Sequence, residues 1–202
     1  MIRLVRTLAL WVTRRRDGVG AGDTAFGYVR GHGATMYALV FVCVVETVGM
    51  AVLLRPWPVV HWVVLVLDVY TVLWVLELHA ACVVRPHVVS PGDGGTSGVL
   101  RLRHGRRHDL RIPMELIVSA RRASRFGPAP GTDGDETRDG VLTLAVGSQT
   151  SLVIELSEPV AATLPRGGSL AVRTVRCHAD EPDRLLAALP PSVRAGRCSP
   201  AG

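Results

Sequence analysis

ATMYALVFVCVVETVGMAVLL (34–54) and VVHWVVLVLDVYTVLWVLELHAACVV (59–84) stand on either side of the short turn Arg55-Pro56-Trp57-Pro58. A spanning helix needs about 20 mostly apolar residues, and each stretch supplies them. The pair reads as a transmembrane helical hairpin, which makes the chain an integral membrane protein with a soluble part behind it. Four segments follow: a basic, flexible N-terminal stretch (1–33), the hairpin (34–84), a soluble domain (85–190) and a disordered tail (191–202).

Charge orients the hairpin. All 23 basic residues of the 202 are arginine and the net charge is +6. Arg3, Arg6, Arg14, Arg15, Arg16 and Arg30 precede the first span against Asp17 and Asp23, whereas the turn carries Arg55 alone. Short arginine-rich flanks stay in the cytoplasm. Both termini are therefore expected inside, with Trp57 and Trp62 at the outer interface, in a bacterial inner membrane. The Ala/Val/Gly/Arg-rich composition fits a high-GC bacterial genome. Cys43, Cys82, Cys177 and Cys198 lack Cys-x-x-Cys spacing, which points to neither a metal nor a redox centre.

Met1–Arg16 carries Ile2, Leu4, Val5, Leu8, Leu10, Trp11 and Val12, with arginines at both ends. Arg14-Arg15-Arg16 stands where a signal peptide would carry small residues, so the segment reads as an interfacial amphipathic helix. Its arginines would meet anionic headgroups while Leu8 and Trp11 dip into the acyl boundary; the competing reading is a disordered basic tail. Asp17–Gly33 is a glycine-rich link. Its Gly20-Ala21-Gly22 lacks the strand and the Gly-Lys-Ser/Thr of a phosphate loop.

Glu46 and Asp68 lie within the apolar helices. An acid at a helix centre costs about 2.5–3.5 kcal/mol on insertion scales, so each calls for a reason. They stand eleven residues before and after Trp57, which puts them at one depth in an antiparallel pair. His61, Asp68 and His79, spaced by 7 and 11, share one helical face, with Thr71 beside them. Thr35, Glu46 and Gly49 share a flank, Gly49 allowing backbones to approach. Glu77 falls on the opposite face, near the inner boundary. The structural expectation is an acid–carboxylate pair sharing a proton and joining the hairpin or an oligomer. The sharper alternative is a proton or cation relay through His61, Asp68, Glu46 and His79.

Beyond Arg85-Pro86 the pattern becomes short and alternating, as in Leu100-Arg101-Leu102-Arg103. Strands are expected at Val83–Ser90, Val99–His104, Leu110–Ile112, Ile117–Arg125, Val141–Val146, Leu152–Leu156 and Leu170–Cys177. Gly127–Gly140 reads as a flexible inserted loop. A last helix, capped by Asp180 with Pro182 in its first turn and Asp183 at its third position, carries Leu185, Leu186 and Leu189 until Pro190-Pro191 ends it. The fold class is α+β: a hairpin, then a small antiparallel barrel or sandwich of about seven strands closed by that helix.

The run Arg85-Pro86-His87-Val88-Val89, then Gly98-Val99-Leu100-Arg101-Leu102-Arg103-His104-Gly105 and Ile112-Pro113-Met114-Glu115-Leu116-Ile117, resembles the bacterial PH-like (pleckstrin-homology-type) domains of membrane proteins. Leu152-Val153-Ile154-Glu155-Leu156 and the final helix resemble the end of such domains. The resemblance covers residues 83–190 and implies a PH-type barrel with a binding or scaffolding role, and no enzyme activity. Met114 stands where the family usually has an aromatic, and the 127–140 loop is an addition.

From Arg85 to Arg125 nine arginines face Asp93, Asp109 and Glu115, whereas residues 126–190 are acidic. Arg101, Arg103, His104, Arg106, Arg107 and His108 form the candidate contact with anionic headgroups or a partner; alternation alone would also place arginines on solvated strand faces. The patch has no interleaved aromatics and no nucleic-acid recognition motif. No His-Glu-x-x-His, Gly-x-Ser-x-Gly or phosphate-loop pattern occurs, and no cofactor is implied. Two functions compete: a membrane-anchored interaction or scaffolding module whose partner is a membrane protein or a second copy, and a small oligomeric proton or cation transporter. An enzyme is the weakest reading.

Overall fold

The computed structural model describes residues 2–92, 97–105, 108–126, 135–138, 140–163 and 168–194. The N-terminal segment is a helix, α1 (Ile2–Val12). It does not lie apart from the chain but packs along the end of the second long helix, the Trp11 ring meeting the edge of His79. Within the expected glycine-rich link, Thr24–Phe26 form a strand, β1.

Two long helices follow, α2 (Arg30–Leu53) and α3 (Pro58–Val84). Pro58 starts α3 as its first residue, where a missing N–H costs nothing. Both helices are long and apolar enough to cross a membrane. The apolar window of α2 has 0% of its residues buried and that of α3 only 6%, so the described part of this chain leaves most of their apolar surface uncovered. The helices pack on each other, and Met36, Val40, Cys43, Thr47 and Met50 of α2 are partly buried at alternating spacings of four and three. That spacing is the seam of a left-handed antiparallel pair.

The chain then builds β2 (His87–Ser90), β3 (Val99–His104), β4 (His108–Pro113), a single 3-10 turn (Met114–Leu116), β5 (Ile117–Phe126), β6 (Asp135–Arg138), β7 (Val141–Leu144), β8 (Gln149–Thr163) and β9 (Ser169–Cys177). Two short helices close it, α4 (Pro182–Ala188) and α5 (Pro191–Arg194). The first expected strand loses its start to α3, which continues to Val84. β8 is longer than expected, and a register shift between Glu155 and Val160 accommodates Pro159, which has no N–H for the ladder. Part of the expected loop at Gly127–Gly140 is β6, its last residue Gly140 accepts the Arg173 and Thr174 N–H groups, and the remainder lies outside the described residues. The expected tail begins with α5, whose Val193 is buried.

The strands form two sheets, β1-β2-β3-β4 and β5-β8-β9-β7-β6. Neither closes into a barrel, and β7 runs parallel to β9, so the arrangement is antiparallel-rich rather than wholly antiparallel. Thr174–Cys177 of β9 are flanked by β7 on one side and β8 on the other. This central position buries Cys177 completely, and burial pushes its thiol up to about 12. The core lies between the sheets, from Leu100, Leu102 and Ile112 to Leu142, Ile154 and Val175, with Leu185, Leu189 and Val193 of the closing helices packed onto it.

Candidate functional site

The polar residues expected within the hairpin are not brought together. Asp68 is partly buried on the α3 side of the seam, whereas Glu46 is exposed on the outer surface of α2. The two acids therefore point to different faces. Gly49 also faces outward, and a Cβ placed there would meet nothing within 4 Å, so it does not mediate the contact with α3. Thr71 donates its hydroxyl to the Leu67 carbonyl at 2.9 Å, a bond within its own helix. His61 lies by the turn beside Trp62, with its Nδ1 buried and unpartnered among the described residues. His79 is eighteen residues further on, at the other end of α3 and buried between Trp11 and Tyr37.

The chemically dense region is instead the base of the hairpin, where it meets the first sheet. Tyr28, 1% exposed, stacks on the ring of His87 with centroids 4.7 Å apart. His104 lies on the same ring at 6.0 Å. The Tyr28 hydroxyl accepts the Gly105 N–H at 2.8 Å and shares a hydrogen bond with the Cys82 side chain. Its phenol pKa is raised by burial, which keeps it protonated. Gly105 has φ of 51°, and a Cβ there would stand 3.3 Å from the Cys82 sulfur. The tight turn after β3 thereby lets the sheet close on α3.

His87 is bonded on both nitrogens. Nδ1 accepts the Arg103 N–H at 3.1 Å and Nε2 donates to the His178 carbonyl at 2.9 Å. Only the neutral Nε2–H form satisfies both bonds. Complete burial is the main reason its pKa falls to about 4. Beside it a cavity of about 550 Å³ is lined by Tyr28, Trp74, Glu77, Cys82 and His104. Glu77, expected on the opposite face of its helix near the inner boundary, is 3% exposed at this junction.

The residues expected to contact headgroups divide. Arg103 is buried at 4%, its guanidinium bonded to the Asp17 carbonyl, and burial lowers its pKa. Arg101 makes a two-pronged pair with Asp109, whose carboxyl is held below its ordinary range by that hydrogen bond. His108 is buried and His104 half-buried. Arg106 and Arg107 lie outside the described residues. Asp17 draws the segments together further, accepting Arg6 at 3.6 Å and Arg85 at 3.5 Å while its N–H donates to the Val84 carbonyl at 2.9 Å.

Sequence reasoning missed Tyr28, Cys82 and Asp17 as members of one site, and placed His87 within the run that resembles PH-like domains. Phe26-Gly27-Tyr28, an aromatic pair in an otherwise small and polar link, was the available signal. No set of three or more His, Cys, Asp or Glu able to hold a metal occurs among the described residues. The arrangement can fasten two units rigidly. No family model matches the chain, and neither does any curated protein or solved structure.

Proposed function

We propose that the chain is a membrane-anchored interaction module of the bacterial inner membrane, whose hairpin docks with a membrane-protein partner or a second copy. The soluble unit, read as PH-like, is held at the cytoplasmic surface to bind anionic headgroups or a partner protein. The PH-like reading draws support from the sequence pattern and from two sheets followed by a closing helix.

The observation that carries the proposal is the direction of Glu46. It is exposed on the outer surface of a helix whose apolar window has no buried residue. Eight residues from Leu54 at 1.5 Å each puts it roughly 12 Å into the hydrocarbon. An acid facing lipid there is costly, and a neighbouring helix that supplies a donor removes the cost. The relay reading draws less support, because Glu46 and Asp68 point to different faces and His61 and His79 stand at opposite ends of α3.

The test is assembly size in gentle detergent. The wild-type chain elutes with a partner or as an oligomer, and Glu46→Leu elutes as the lone chain. Asp68→Asn, on the inner seam, keeps the assembly. Equal elution of wild type and Glu46→Leu overturns the proposal.

A further inference from the structure

A second cavity, of about 690 Å³, lies between α1, the first turns of α2 and the last turns of α3. Leu10, Trp11, Tyr37 and Val83 supply an apolar wall, and Arg14, Arg15, Arg16 and Arg30 supply the charge. The one carboxylate among the described lining residues is Asp180, which already accepts the Arg30 N–H at 2.9 Å. Glu181 stands 3.7 Å from the Arg30 guanidinium. Arg14, Arg15 and Arg16 are exposed, and no acid is paired with them among the described residues.

The end of α1 carries an independent sign. Arg15 N–H donates to the Leu10 carbonyl at 2.9 Å and Arg14 N–H to that of Trp11 at 3.0 Å, the closing bonds of a Schellman motif. Arg14 holds the left-handed position of that motif, at φ of 54°. Glycine occupies this position without steric penalty and arginine does not. A side chain kept where its backbone is strained points to a use for that side chain.

We propose that this cavity holds the headgroup of one anionic phospholipid. Its phosphate sits among the guanidiniums of Arg14, Arg15, Arg16 and Arg30, which suit phosphate oxygens by charge and planar geometry. Its acyl chains follow the wall of Trp11, Tyr37 and Val83 towards the exposed apolar surface of the hairpin. The volume falls in the range of small-molecule sites. In this arrangement α1 is one jaw of a lipid clamp whose other jaw is the hairpin base. The inference rests on the bilayer placement proposed above, and not on the identity of any protein partner.

The experiment is native mass spectrometry of the full chain in neutral detergent, supplied with phosphatidylglycerol or phosphatidylcholine. Phosphatidylglycerol is retained preferentially. Arg14→Gly weakens retention about fivefold, the value of roughly one arginine near a charged surface, while its melting temperature is unchanged or higher. The exposed Arg111→Gln control retains lipid as the wild type does. Equal retention of the two lipids, wild-type retention by Arg14→Gly, or an equal loss in Arg111→Gln overturns the clamp. Displacement of the lipid by inorganic phosphate also overturns it, in favour of a free-anion site. Recovery of the chain in aqueous solution without detergent would instead remove the bilayer placement. Loss of lipid selectivity from a chain that still needs detergent removes the clamp alone.

Discussion

His87 shows how one side chain can make stability depend on pH. It is neutral and doubly bonded in the folded chain, with its pKa lowered to about 4 from an ordinary 6.5. Between those values the unfolded chain binds a proton that the folded chain does not. Its contribution is therefore complete above about pH 6.5 and falls as the pH drops towards 4, by on the order of 3 kcal/mol. Asp109, with its carboxyl lowered by Arg101, acts in a different window, losing its contribution only below the ordinary carboxylate range. Denaturation of the full chain in detergent should show a decline from pH 7 to pH 5 that His87→Gln abolishes. A decline of equal size in that variant would place its source elsewhere.

At the scale of elements, the start of α2 depends on a residue 150 positions away. The Asp180 carboxylate accepts the Arg30 N–H at 2.9 Å, and the Asp180 N–H donates to the Gly27 carbonyl at 2.9 Å. The sequence suggested Asp180 as the cap of α4, but that helix is preceded by Glu181, which makes no side-chain cap bond. Asp180 instead satisfies a free backbone amide N–H at the first turn of α2. Asp180→Ala should cost about 1 kcal/mol, as a lost cap does. Gly27→Ala would place a Cβ 2.7 Å from the same carboxylate, so the carboxylate must move away from its amide partner. The two changes share one contact. The double variant should therefore be no less stable than Asp180→Ala within a few tenths of a kcal/mol, as a thermal or denaturant midpoint would show; fully additive losses would separate them.

For the whole molecule, β1 constrains topology. Thr24, Ala25 and Phe26 pair with Val89, Val88 and His87, so the segment before the hairpin and the segment after it belong to one sheet. If the helices cross a bilayer, both flanks lie on the same side and Arg55–Pro58 on the other. A cysteine replacing Trp57 should react with an impermeant thiol reagent in intact cells, and one replacing Thr24 only after permeabilisation. Labelling of both in intact cells would contradict a sheet that spans the two flanks.

Length and hydropathy determined the hairpin, because a predominantly apolar run of more than twenty residues has few other structures open to it, and Pro56 and Pro58 determined its turn. Alternation in Val99–His104 and Leu170–Cys177 likewise marks strands by sequence alone. The pairing of β1 with β2, the parallel contact of β7 with β9, the outward aim of Glu46 and the reach of Asp180 to α2 were decided by tertiary structure. Periodicity records which face of a segment is apolar, whereas pairing across tens of residues depends on how whole faces pack, and that information is not local to any stretch of chain.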